Sequence, residues 1–447
     1  MDFAISDHAA VQAQLDRLGQ LSVPQGRLGL DTIRTLLARL GNPQLHLPPV
    51  FHVAGTNGKG STCTYLRFML EAQGLTVHTA TKPHLVRYNE RIRVAGSLID
   101  DNLLAALLGE ALDAGEDLAP SFFEVTTAAQ FLAFARIPAD ACVIETGLGG
   151  RFDATNVFER PVACGIATLG IDHEAFLLIP EPGVPPEPLA RIAFEKACIA
   201  KPGVPLVTQA YPDLAARSVA HTAQGLGARL IRRGHEWHAA VGDAIAYRDA
   251  AGTLDLPLPA LPGVHQADNV ALAVAMLRHQ DTVQVSPEAM AAGIVSARWP
   301  ARLQRLAPGP LTGPLTGPLT GPLTGPLTGA RTVWLDGGHN PDAGAAIARH
   351  FADRPPVHVV IGMLANKDPG AILTPLGNRA LSVTIVPAPG HAAHSPQAFA
   401  PFSGIGLSSA PDVAAALSAL PPTGDVLITG SLYLAGDVLL RNGEIHD

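Results

Sequence analysis

Residues 53–62 read VAGTNGKGST, with the apolar stretch PPVFH before them and CTYLRFMLEAQG after. An apolar run, a glycine-rich turn and a helix-like segment, in that order, are the parts of a phosphate-binding loop. Glycines let main-chain amides approach phosphate oxygens, Lys59 supplies a point charge, and a helix beginning near Ser61 offers its positive end to an anion. The spacing departs from the common form, in which Ser or Thr directly follows a Gly-Lys pair. Here Gly55 precedes Gly58 by three residues, and Gly60 separates Lys59 from Ser61. The stretch predicts a nucleotide site at a strand end, with Gly58, Lys59, Gly60 and Ser61 at the phosphates, and an α/β fold around it.

The same rhythm continues on both sides of the loop. LTVHTAT, ADACVIETG, PVACGIATLG and VPLVTQA are short apolar runs that each end in a glycine-rich or polar turn before a helix-like stretch. Such alternation predicts a mostly parallel sheet with crossover helices and ligand loops at the carboxyl ends of the strands. A second set begins near Arg331 with RTVWLDGGHNP, PVHVVIGML, LSVTIVPAPG and GDVLITGSLYLAG. The reading is therefore α/β throughout, with a P-loop domain over 1–296 and a smaller Rossmann-like domain over 297–447. Between the two sets, 309–329 carries five tandem copies of Gly-Pro-Leu-Thr and a closing glycine. With proline at every fourth position it cannot propagate a helix or a central strand, so it is expected to form an extended loop without chemistry of its own.

A chain of 447 residues exceeds one ordinary core. Its 47% hydrophobic content is split into short runs, so no membrane span or membrane partner is expected. The first residues lack a basic region followed by an apolar core, and no secretory signal is read there. A formal net charge of −8 argues against nucleic-acid binding through a broad cationic surface. Cys63, Cys142, Cys164 and Cys198 are widely spaced, as expected of packed thiols in the reducing cytoplasm.

Other strand ends carry the remaining candidates. Glu145 closes the apolar run in VIETGLGGRFDATN, where a carboxylate needs a cation or water, and that favours a magnesium ligand, with a salt-bridge residue as the plain alternative. His173 in LGIDHEAF occupies a comparable strand end, which favours a ligand role over a structural one. Lys196 in IAFEKACIAKPG reads as a solvated helix lysine. Asn269 lies near a helix start, where capping is the plain alternative. Arg302 in WPARLQRL, with Asp336 and His339 in LDGGHNP, offers charged groups from the second domain that could close over a nucleotide and exclude water.

Taken in order, RLGLDTIRTLLARLGNPQ, VAGTNGKGST, PHLVRYNERIRV, SFFEVTT, IETGLGGRFDATN, GIDH, FEKACI, DGGHNP, IGMLANKD and TGSLYLAG resemble the folylpolyglutamate synthase/dihydrofolate synthase family, within the wider group of Mur-type ATP-dependent amide ligases. The resemblance spans nearly the whole chain. It implies a Mur-ligase-like central domain in which Gly58, Lys59, Gly60 and Ser61 hold ATP phosphates and Asn269, Arg302 and Asp336 complete the ATP site. Glu145 and His173 match magnesium ligands. Lys196 matches a lysine carried as a carbamate, against its plain reading as a solvated lysine. The pterin substrate is expected at Arg27, Leu28 and Gly29, at Ser121, Phe122, Phe123 and Glu124, and at Phe152, Asp153 and Ala154. His339 and Ser431 are expected at glutamate.

The implied activity is the ATP-dependent addition of L-glutamate to dihydropteroate, and also to reduced folates, through an acyl phosphate, with ATP and Mg2+ required; a monomer is the default expectation, since the sequence does not fix the oligomeric state. The alternatives are one of the two folate reactions alone, a Mur-type ligase of another acceptor, and a non-ligating ATP-binding switch. Two departures stand out. The family usually has serine before PHL, where it contributes to a magnesium site, whereas this chain has Lys82. A cation there disfavours a metal unless its side chain turns to phosphate or to the pterin glutamate, leaving Thr81 or water to supply the missing oxygen. The segment EAFLLIPEPGVPPEPLAR, between His173 and Lys196, is longer than usual and reads as a surface loop.

Overall fold

The structure, a computed structural model, describes residues 5–21, 29–312, 331–392 and 394–444. Arg27, Leu28 and all but the first copy of the Gly-Pro-Leu-Thr repeat lie outside the described residues. The chain divides into two compact units, one comprising Met1–Ala260 with Gln266–Arg298 and the other Leu261–His265 with Trp299–Asp447.

In the first unit, β1 (Val50–Ala54), β2 (Val77–Ala80), β3 (Ile92–Val94), β4 (Ser97–Leu98), β5 (Ala141–Glu145), β6 (Ala163–Ile166), β7 (Pro205–Thr208) and β8 (Arg229–Arg232) form one sheet in the order β4-β3-β2-β5-β1-β6-β7-β8. The six strands from β2 to β8 in that order are parallel, and β3 and β4 add an antiparallel edge. All five residues of β1 and of β5 are buried, as central parallel strands covered on both faces must be, which explains why they are apolar apart from His52 and Glu145. On one face, Val11, Leu36, Leu108 and Phe131 of four helices pack against residues of the sheet. On the other, Ala193, Ala197, Val219 and Ala223 cover β6 and β7.

Strand order positions the site. From β1 the chain runs over β5 to β2, whereas from β6 it runs the opposite way to β7. The switch between β1 and β6 opens a crevice at their carboxyl ends. Register brings the loops there together: Val53 pairs with Glu145 on one side and Gly165 on the other, and Ala80 pairs with Ile144.

The helix Lys59–Ala72 leaves β1 through Gly58, and the helix Pro287–Ser296 packs closely on it. That second helix starts where the Ser286 hydroxyl accepts from Ala289 N at 3.1 Å, with proline in the first helical position. A Cβ at Gly293 would lie 2.5 Å from the Met69 main chain, so the approach of the two helices depends on glycine there. A separate antiparallel sheet holds β9 (Trp237–Val241), β10 (Ile245–Asp249) and β11 (Gly252–Leu256) in the order β11-β10-β9.

The second unit has its own sheet of β12 (Gln304–Arg305), β13 (Val333–Leu335), β14 (Val357–Ile361), β15 (Ala380–Ile385), β16 (Leu407–Ser409) and β17 (Asp425–Thr429), in the order β12-β13-β17-β14-β15-β16. All but β12 run parallel. Its core gathers Ile347, Phe351, Val359, Ile372 and Leu427. The first Gly-Pro-Leu-Thr copy is anchored within this unit, where Leu311 N donates to Asn442 Oδ1 at 3.1 Å.

Candidate active site

The β1 loop is built to leave main-chain amides in the crevice. Gly58 has a φ of +82°, a left-handed conformation that glycine adopts without strain, and it caps the helix that begins at Lys59. A Cβ on Gly58 would stand 2.4 Å from Asn269 Oδ1, so the loop packs directly on the amide of Asn269. Asn269 is the fifth residue of the helix His265–Arg278 and is 3% exposed. It is no helix cap, and Nδ2 donates to Gln266 Oε1 at 3.2 Å. Lys59 Nζ folds back to donate to the carbonyls of Gly55 at 2.9 Å and Thr56 at 3.2 Å. The Thr56 hydroxyl donates to the Gly170 carbonyl at 2.9 Å and joins this loop to the one after β6. No spacing in the sequence marks Thr56 for that task.

Glu145 ends β5 and is 3% exposed. Its Oε2 accepts from the main-chain N–H of Lys82 at 3.0 Å, and its carbonyl accepts from Lys82 Nζ at 3.0 Å. Lys82 Nζ also lies 4.2 Å from the Phe123 ring centroid. Burial pushes the Lys82 ammonium down to about 8, against the raising influence of Asp153 and Glu145. Thr81 faces elsewhere, its hydroxyl 3.5 Å from the Glu90 carbonyl.

The residues after Glu145 fold around Asp153. Its Oδ2 accepts from Gly147 N and Leu148 N, both at 2.8 Å, and its Oδ1 from Thr155 N at 3.0 Å. This carboxylate therefore shapes the loop, Ala154 is buried beside it, and Phe152 is half-buried at the rim of a cavity of about 50 Å3 that Leu148, Phe176 and Ile179 also line. At the start of the helix Phe122–Arg136, Ser121 and Glu124 form a reciprocal cap: Ser121 N donates to Glu124 Oε2 at 2.8 Å and Glu124 N to Ser121 Oγ at 3.3 Å. Phe122 packs edge-on to Tyr88. Gly29 is described and exposed.

Lys196 is 3% exposed, on the helix Pro188–Ala197. Its plain reading as a solvated lysine is overturned by that burial. Burial lowers its ammonium to about 7, and the charge of Lys59 lowers it further, while Asp172, Asp153 and Glu195 act in the opposite direction. A neutral amine thus exists near physiological pH, the form that can add carbon dioxide to become a carbamate. The neighbouring Glu195 belongs to a buried charge cluster. Arg151 Nη2 lies 2.6 Å from Glu181 Oε2 and 2.9 Å from Glu195 Oε1, and Arg191 reaches the same carboxylates at 3.2 and 3.0 Å. Glu181 comes from the proline-rich segment, which is a mostly exposed surface loop tied to this cluster by these pairs. His173 is exposed with a left-handed φ of +54°, directly before the short helix Glu174–Leu177, and its N–H donates to Asp172 Oδ1 at 2.8 Å.

The first unit thus brings together Gly58, Lys59, Asn269, Glu145, Asp153, Phe123 and Lys196. Among the described residues no three His, Cys, Asp or Glu side chains form a ready metal cluster. By donor type alone, the carboxylate oxygen of Glu145, the imidazole nitrogen of His173 and the anionic oxygen that a carbamylated Lys196 would carry are groups a divalent ion accepts.

In the second unit, Asp336 follows β13. Its Oδ2 accepts from Leu303 N at 2.8 Å and Oδ1 from Gly338 N at 2.7 Å, with the charge of Arg302 acting on it. Burial raises its carboxyl despite that arginine. His339 Nδ1 lies 3.0 Å from the Gly337 carbonyl, and the buried Ser431 hydroxyl caps a helix by accepting from Leu434 N at 3.1 Å. Gly430 N donates to the Gly338 carbonyl at 3.1 Å, so the loops bearing His339 and Ser431 are knitted together.

No protein-family model matches the chain. Over 346 residues it is 36% identical to the dihydrofolate synthase/folylpolyglutamate synthase of Escherichia coli, covering 76% of this chain and 73% of that protein. The chain belongs to the folylpolyglutamate synthase/dihydrofolate synthase family. Like its relatives, this family member is an ATP-dependent ligase of the two-domain Mur fold. E. coli FolC in complex with DHPP and ADP matches with a TM-score of 0.81 and 31% identity, covering 96% of this chain and 97% of that one. The bifunctional enzyme of Yersinia pestis, complexed with AMPPNP and Mn ion, matches with a TM-score of 0.80 and 28% identity, covering 96% and 97%. ATP and a divalent metal are accordingly the cofactors of this family member. Among the described residues no helix is long and apolar enough to cross a membrane.

Proposed function

We propose that this ligase adds L-glutamate to dihydropteroate and also extends reduced folates, acting as a cytoplasmic monomer. The observation carrying the proposal is the meeting of the Lys59 loop and Glu145 at adjacent strand ends of one crevice, with the buried Lys196 of the helix Pro188–Ala197 close enough to feel the charge of Lys59. Unpaired cysteines among the described residues support a reducing compartment.

A carboxylate is a poor electrophile, so an acceptor carboxylate oxygen must first attack the γ-phosphorus of ATP, forming an acyl phosphate as the bond to ADP breaks. The amino nitrogen of glutamate then attacks the acyl carbon, phosphate leaves, and the nitrogen loses a proton. The amides at Gly58, Gly60 and Ser61 bind phosphate oxygens, and Lys59 exchanges its two loop carbonyls for the γ-phosphate. Glu145, His173 and carbamylated Lys196 would hold the divalent ion, which when bound screens phosphate charge. Asn269 orients the loop through Gly58. Phe122, Phe123 and Phe152 offer apolar surface to a pterin, with the buried Ala154 behind them. Ser121, Glu124 and Asp153 position those side chains through the bonds that hold their backbone. His339 and Ser431 are assigned to glutamate.

The test is glutamate-dependent ADP release from Mg-ATP with dihydropteroate and tetrahydrofolate supplied separately. Release with both establishes the two reactions, release with one restricts the assignment to it, and silence with both removes the folate reading. ADP release without glutamate would favour the switch instead.

A further inference from the structure

We propose that the Lys82 ammonium is a built-in cation that takes the place of one divalent ion, so that this ligase works with a single metal at Glu145, His173 and Lys196. The proposal rests on the ligase reading above and on the lysine that stands where the family resemblance places a serine metal ligand.

The geometry explains how a lysine can occupy that position. Parallel pairing of Ala80 with Ile144 brings Lys82, two residues further on, to Glu145. Its main-chain N–H takes Glu145 Oε2 at 3.0 Å, and its side chain then curls so that Nζ donates to the Glu145 carbonyl at 3.0 Å. The Phe123 ring, 4.2 Å from Nζ, supports the ammonium from another side. A flexible lysine is thereby tethered at both ends to one residue of the site.

Three consequences oppose a second metal here. The side chain supplies a donor where a metal needs an acceptor. The positive charge of its ammonium repels a divalent ion at the same carboxylate in a half-buried, weakly screened setting. The adjacent hydroxyl does not substitute, because Thr81 points to the Glu90 carbonyl. Glu145 still presents its carboxylate here, and Lys82, bonded to that residue through both its main-chain N–H and Nζ, is the cation that stands against it. An ammonium is a compact charge well suited to phosphate or carboxylate oxygen. Lys82 therefore meets an anionic oxygen of the reacting groups at the position a metal would otherwise serve.

Counting bound Mn2+ by electron paramagnetic resonance, on the full chain saturated with AMPPNP, tests this without turnover. One Mn2+ per wild-type chain is expected. Lys82→Ser should gain a second, weaker site, whereas Lys82→Met, which removes the charge without adding oxygen, should remain at one. Two Mn2+ in the wild type, or one in Lys82→Ser, overturns the proposal while leaving the ligase assignment standing. No bound Mn2+ in the wild type fails the metal-dependent reading beneath it, and the glutamate-dependent ADP assay then shows whether that reading has also failed. Should Lys82→Ser not fold, the wild-type count decides alone.

Discussion

A lysine ammonium in water titrates at 10.5, whereas Lys196, 3% exposed and acted on by the charge of Lys59, is lowered to about 7. Desolvation disfavours the charged form, and the neutral amine is then free to take up carbon dioxide. Lys196→Met should lower turnover by about a hundredfold or more, in line with loss of a fixed electrostatic group in a site. Intact mass in bicarbonate buffer should show a carbon dioxide adduct on the wild type that is missing from the variant. At Gly58 the constraint is steric and conformational together, with a φ of +82° and Asn269 Oδ1 2.4 Å from any added Cβ. Gly58→Ala should weaken nucleotide binding roughly tenfold or more, a cost of about 1–3 kcal/mol for a strained backbone. Titration with a fluorescent ATP analogue reads that change directly.

Between elements, the helix Lys59–Ala72 carries the phosphate loop and depends on the helix Pro287–Ser296 for its outer support. Gly293→Ala places a methyl group 2.5 Å from the Met69 backbone, which cannot move aside as a side chain would. Overpacking of this kind costs about 1–3 kcal/mol, so the urea midpoint should fall clearly below that of the wild type. Much of this arrangement was legible: the runs around Val53, Glu145 and Ile166 are strands because, His52 and Glu145 apart, their residues are apolar, and Gly58 marks the turn. The function of Asp153 was not legible as the structure has it. Its partners Gly147, Leu148 and Thr155 are local, but sequence spacing does not reveal that one carboxylate satisfies three main-chain amides.

Across the whole molecule, several imidazoles are held neutral. Burial lowers His52 and His78 in the first unit, and His350 falls from 6.5 to about 4 through burial and the charge of Arg354 in the second. Between pH 6.5 and about 4 the unfolded chain binds a proton that folded His350 does not, so stability is lost as pH falls through 6.5. Each fully buried imidazole contributes up to ~1.4 kcal/mol per pH unit in its window, with half-exposed His350 contributing less. Melting temperature should decline from pH 7 to pH 5, and His350→Leu should flatten the part belonging to the second unit. An unchanged slope in that variant would remove His350 from the account. The sequence by itself determined the strand, loop and helix units, the two sets of parallel strands and the family, because apolar periodicity, glycine turns and motif order are properties of neighbouring residues. Only the tertiary structure decided that Lys196 is buried rather than solvated, and that Lys82 turns back onto Glu145. Desolvation and charge coupling arise from residues as distant in the chain as Lys59, Asp153 and Asp172, which meet only when the strands align.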